Sequence, residues 1–124
     1  MIHRLDPQRL KKIRLIFEDD GLLVVDKPAG LAVHSGADTK GRDLLTILKS
    51  ALIESGERSA PPLVLGHRLD RGTSGVVLLA KDPKVAAILQ SLWPGAKKRY
   101  LAIVSGHLAQ SRRIDTPLPS KDGR

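Results

Sequence analysis

Two short apolar runs separated by an acidic turn constrain this chain more than any other feature. Residues 13–18 (IRLIFE) and 22–27 (LLVVDK) are rich in β-branched side chains, and Asp19-Asp20-Gly21 lies between them. Such residues favour a pleated, half-buried surface. Asp-Gly between two such runs marks a hairpin. Pro28-Ala29-Gly30 stops the second strand.

After Gly41 the pattern changes. Leu44, Leu45, Ile47, Leu48, Ala51 and Leu52 fall on one helical face, and Gly56 marks its end. Residues 57–62 (ERSAPP) read as a loop, and 63–65 as a short strand. Residues 76–80 (VVLLA) read as a buried strand. Asp82-Pro83 starts a second helix, with Asp as N-cap and Pro at the first helical position. Its stripe is Val85, Ile88, Leu89 and Leu92, and Pro94-Gly95 ends it. Residues 98–105 (KRYLAIVS) read as a further strand, and Lys121-Asp122-Gly123-Arg124 as a turn leading onward. Strands and helices that do not alternate strictly indicate an α+β fold: a mixed, mainly antiparallel sheet with helices packed on it.

The chain has 124 residues, enough for one domain or part of one, with a modest core. Phe17, Trp93 and Tyr100 are the only aromatics, so the core must rest on Leu, Val, Ile and Ala. The absence of cysteine excludes disulfides and thiolate metal sites and fits a reducing cytoplasm. No apolar run approaches the roughly 18 residues of a membrane span. The opening residues lack the apolar core of a signal peptide. The net charge of +8 is unevenly spread. Residues 1–16 carry five basic and one acidic side chain, 17–93 nine and ten, and 94–124 seven and two. Basic ends around a nearly neutral middle suit a nucleic-acid partner, because clustered Lys and Arg displace counterions from phosphates. They also suit mere solubility.

The densest polar cluster is residues 66–75, GHRLDRGTSG, between two apolar segments. Loops held by rigid strands are where sites tend to lie. His67, Asp70 and Ser74 could be read as a hydrolytic triad, but their spacing matches none of the familiar chain orders. A metal site on His67 and Asp70 lacks a partner histidine at helical spacing. A carboxylate flanked by Arg68 and Arg71 is more distinctive. Neighbouring cations favour its ionised form, which can act as nucleophile or base. The plainer alternative is an Asp-Arg pair tying down a turn.

The run His67-Arg68-Leu69-Asp70-Arg71-Gly72-Thr73-Ser74-Gly75 resembles the signature loop of the RluA family of pseudouridine synthases: His-Arg-Leu-Asp, two variable residues, then Thr-Ser-Gly. Residues 17–34 (FEDDGLLVVDKPAGLAVH) resemble the family's opening hairpin and its Lys-Pro-x-Gly motif at Lys27, Pro28 and Gly30. Residues 97–106 (KKRYLAIVSG) resemble its Lys-x-Tyr motif through Lys98 and Tyr100. The three come in the family's order, over about residues 15–118.

The resemblance implies a pseudouridine synthase fold and an RNA-modifying isomerase that needs no cofactor and no metal. Its RNA would be large-subunit ribosomal first, with transfer RNA used by relatives. Asp70 matches the essential aspartate. Arg68 matches the arginine that enters the RNA stack when the target uridine is extruded. Tyr100 matches the tyrosine that packs on the flipped base and is a candidate to take its C5 proton. His67, Arg71, Thr73 and Lys98 fall beside these as RNA-contacting residues. Lys27, Pro28, Gly30, Ser74 and Gly75 fall in structural positions of the motifs. His34 and His67 read as structural or RNA-adjacent rather than as general bases. Gly72 occupies a variable position, and Trp93 stands where another bulky residue commonly ends the helix.

Family members continue past the Lys-x-Tyr strand to a Gly-Arg-x-His-Gln-Ile-Arg-like motif, whose first arginine pairs with the aspartate. No such run lies between Gly106 and Arg124. Residues 1–124 are therefore expected to be the N-terminal part of a catalytic domain, inactive alone and prone to self-association through an exposed sheet edge. Two other readings are an RNA-binding module without catalysis and a half-domain without independent function.

Overall fold

The computed structural model describes residues 4–10, 12–36, 39–56 and 62–119. The expected loop at 57–62, apart from Pro62, and the turn at 121–124 lie outside the described residues.

The opening hairpin forms at the anticipated place. Strand β1 (Arg14–Glu18) pairs antiparallel with β2 (Leu22–Lys27). The Asp19 carboxylate accepts from the Gly21 N–H at 2.9 Å and the Leu22 N–H at 2.7 Å, which fixes the turn. Asp43 caps helix α1 (Leu44–Glu54), and Gly56 follows the helix at φ +115°. Strands β3 (Val64–Leu65) and β4 (Gly75–Ala80) complete the sheet, in the order β1-β2-β4-β3. All three ladders are antiparallel, so among the described residues the sheet is not mixed.

Register explains the core. Leu23 faces Leu79, Val25 faces Val77 and Lys27 faces Gly75 across β2 and β4. The four apolar side chains of these pairs are wholly buried, in one cluster with Leu44, Leu48, Ala51 and Leu52 of α1. Each such side chain contributes about 1.5–3 kcal/mol on burial. The core is aliphatic, as the scarcity of aromatics requires, and Phe17 and Tyr100 are exposed.

Helix α2 (Pro83–Leu92) begins at Asp82, whose carboxylate accepts from the Lys84 N–H at 2.6 Å. It packs against β3 and β4. Gly66 lies beneath it, where a Cβ would come within 3.0 Å of the Leu78 carbonyl and 3.2 Å of Leu89. At the end of β4, Lys81 and Glu18 form a buried ion pair. Glu18 also accepts from the Leu5 N–H at 2.9 Å, and Lys81 donates to the Asp19 carbonyl at 3.0 Å. Together they join the start of the chain, the hairpin turn and β4.

The strand expected at 98–105 does not form. After a 3-10 turn at Trp93–Gly95, residues 96–119 take part in no sheet. Leu101 and Ile103 are almost fully exposed. The segment has strand-forming side chains, but no neighbouring strand among the described residues exchanges backbone hydrogen bonds with it. β-propensity expresses packing against neighbours, not an intrinsic backbone preference.

Candidate active site

Two loops make a cleft of about 320 Å³. One wall is Ala32, Val33, His34, Gly36 and Thr39; the other is Arg68, Leu69, Asp70 and Arg71, between β3 and β4. Leu69 is buried and anchors its loop, while Arg68 and Asp70 are exposed. The Thr73 N–H donates to the Asp70 carbonyl at 3.0 Å. A backbone group thus closes the turn after Asp70. Gly75 starts β4 at φ +140°, a conformation open to glycine at little cost.

Lys27 locks the loops together. Its side chain is wholly buried. Nζ donates to the carbonyls of Leu31 at 2.7 Å, Pro28 at 3.0 Å and Arg71 at 3.3 Å, which accounts for all three ammonium protons. The Gly30 N–H also reaches the Arg71 carbonyl at 2.7 Å, and Arg71 Nε returns a bond to the Gly30 carbonyl at 3.1 Å. Gly30 holds φ +89° to make this approach. Burial lowers the Lys27 pKa from its ordinary value, and the negative charge of Asp70 opposes that shift. Lys27 is therefore a buried tie between the loops and a cation in the electrostatic field of Asp70. Sequence reasoning credited that field to Arg68 and Arg71 and missed Lys27. The signal was available: a lysine in register with buried apolar residues of a central strand must have partners.

The opposite wall hangs on α1. Leu44 and Leu45 donate their N–H groups to the carbonyls of Ala32 and Val33, at 2.8 and 3.1 Å. Buried Asp43 accepts from Ser35 Oγ at 2.6 Å, Thr46 Oγ1 at 2.8 Å and the Thr46 N–H at 3.0 Å. His34 and Thr39 line the cleft, and Thr39 was not anticipated.

The remaining expected site residues are placed elsewhere. His67 is half-buried behind the loop, and its Nε2 accepts from the Leu78 N–H at 3.2 Å. Its ring stacks on Trp93 with centroids 4.3 Å apart. Lys98 sets its ammonium 4.7 Å from the centroid of the same Trp93 ring. Tyr100 is exposed and is not among the residues lining the cleft. No group of three metal-ligating side chains occurs among the described residues. No helix there is long and apolar enough to cross a membrane.

The cleft and its motifs coincide with a known family. The family model for RNA pseudouridylate synthase matches residues 21–123. The chain belongs to that family. It is 37% identical over 119 residues to the "Ribosomal large subunit pseudouridine synthase D" of Zymomonas mobilis, covering 91% of this chain and 37% of that protein. It is 35% identical over 109 residues to the "tRNA pseudouridine synthase C" of Haemophilus ducreyi, covering 86% and 43%. Among solved structures, human RNA pseudouridylate synthase domain containing 4 superposes with a TM-score of 0.56 at 32% identity, covering 72% of this chain and 32% of that one. The chain thus spans between about a third and two fifths of the length of these pseudouridylate synthases.

The cleft wall in this family member should be acid-sensitive through Asp43. Burial pushes its carboxyl up, but hydrogen bonds from Ser35 and Thr46 outweigh burial and hold it below the usual range. A depressed folded pKa stabilises the native state above the unfolded value of about 3.9. That stabilisation is lost as pH falls through the folded value. Asp43→Ala is expected to cost about 1–2 kcal/mol at neutral pH. The gap to wild type should shrink as pH falls through the folded value, below which both states are protonated. Thermal unfolding across pH checks this, and a gap constant with pH would contradict it.

Proposed function

We propose that this chain supplies the aspartate-bearing half of an RNA uridine-isomerising centre, acting in the cytoplasm on large-subunit ribosomal RNA. The observation that carries the reading is the cleft itself: Asp70 and Arg68 share it on a loop held by the buried Lys27. Its volume is at the lower end of small-ligand pockets, roughly 300–1,000 Å³, which suits one extruded nucleoside.

The reaction breaks N1–C1′, turns the uracil in place and joins C5 to C1′. The C5 proton leaves and N1 gains one, so no redox partner or energy source is required. Extruding the base costs a few kcal/mol, and a planar side chain in the vacated stack offsets part of it. Arg68, exposed at the rim, is the residue for that task. Asp70 next to the ribose can attack C1′, add to C6 or take the 2′ proton; each requires an ionised carboxylate. Tyr100, which does not line the cleft, supplies an aromatic face to the base once RNA brings its segment to the cleft. Lys97, Arg99, Arg112 and Arg113 on the exposed segment neutralise phosphates.

The test is a chimera in which this chain replaces the matched stretch of the Zymomonas mobilis relative. On ribosomal RNA labelled with tritium at uridine C5, the chimera should release tritium and form pseudouridine. Residues 1–124 alone should remain at background, because no arginine motif of the kind expected opposite Asp70 occurs among them. An inactive chimera that is folded and binds the RNA would favour the RNA-binding module instead.

A further inference from the structure

The His67 and Trp93 rings are nearly parallel, at 14°. His67 is held at one edge as well as on a face: its Nε2 accepts from the Leu78 N–H on β4. The imidazole thus ties the chain leaving β3 for Arg68 and Asp70 to both β4 and Trp93. Trp93 also carries the Lys98 ammonium over its ring, two residues before Tyr100. Residues 97–104 are exposed and unpaired in the sheet, so this contact ties them to the body of the protein.

We propose that Trp93 is a positioning residue, whose indole registers the His67–Asp70 loop against the segment bearing Lys98 and Tyr100. The role rests on the isomerase reading above. It lets two pieces that share no backbone pairing hold one geometry before RNA arrives. Losing it would cost rate more than affinity, since a misplacement of about 1 Å can lower turnover roughly 10²-fold. Phenylalanine keeps an aromatic face for both partners, and alanine keeps neither.

Trp93 is the only tryptophan, so its emission reports the contact directly. Stacked imidazolium quenches indole more than neutral imidazole does. Burial lowers the His67 pKa, the Arg68 backbone bond raises it, and the charge of Lys98 lowers it further. Lys98 is the charged group set against the ring; Leu78 and Trp93 bring none.

Emission of the 124-residue chain should therefore fall on acidification, with a midpoint below the ordinary value of about 6.5. Lys98→Met should raise that midpoint, and His67→Gln should abolish the transition. Amide exchange at Leu78 should accelerate in Trp93→Ala and not in Trp93→Phe. In the chimera, Trp93→Ala should lower kcat by about 10- to 100-fold with little change in KM, and Trp93→Phe should restore most of it. An unaltered transition in His67→Gln overturns the proposal, as does Leu78 exchange indifferent to Trp93→Ala. An unaffected kcat in Trp93→Ala overturns it as well. If exchange and emission respond as expected while the wild-type chimera makes no pseudouridine, the isomerase reading fails and the coupling of the two segments stands.

Discussion

Asp70→Asn in the chimera should stop tritium release, lowering turnover by about 10⁴- to 10⁶-fold, the range for losing a reacting group. The substitution changes charge and almost nothing else. Asp70 is exposed, and the bond that closes its turn uses its backbone carbonyl. Asparagine leaves that carbonyl in place but removes a charge that favours the buried Lys27 ammonium, so stability should fall by no more than about 1 kcal/mol. RNA affinity should change only a few-fold, because phosphate contacts dominate it. The amide lacks the negative charge that attack at C1′, addition at C6 and abstraction of the 2′ proton all need. Pseudouridine yield on a matched RNA is the measurement. A variant that matches wild type would remove Asp70 from the chemistry.

Lys27→Met should destabilise the fold by about 3–5 kcal/mol, because a buried cation is replaced where carbonyls were arranged to receive it. Methionine has nearly the same length and fills the same space beside Gly75. What it removes is the donor shared by Pro28, Leu31 and Arg71. The Arg71 carbonyl retains the Gly30 N–H, so the loop should loosen rather than detach. A loss of this size is a large part of the roughly 5–15 kcal/mol that holds a domain together. Lys27→Arg should not rescue, since a planar fork cannot reproduce three bonds radiating from one nitrogen. Urea unfolding measures the loss. A change below about 1 kcal/mol would show that the ammonium only offsets its own desolvation.

Local chemistry was sufficient for much of this molecule. The hairpin at Asp19-Asp20-Gly21, the cap at Asp82 and the aliphatic core were legible because each depends on near neighbours in the chain or on composition. The polar loop at 66–75 stood out because a dense run of charged and hydroxyl residues lies between apolar segments. The chemistry proposed for it came only through resemblance to a family.

The contacts that make the site a site are of another kind. Lys27 and Arg71 are 44 residues apart, and nothing in either local sequence says that the ammonium of one ends on the carbonyl of the other. His67 meets Trp93, and Trp93 meets Lys98, because α2 returns the chain to the β3–β4 loop. The expected strand at 98–105 marks the opposite limit. Its side chains carry strand propensity, but a ladder needs a second backbone to exchange hydrogen bonds. Propensity and capping belong to a residue and its neighbours, so the sequence by itself determined the hairpin, both helices and β4. Pairing and convergence of loops belong to distant segments that meet only when the core closes, and the tertiary structure alone decided them.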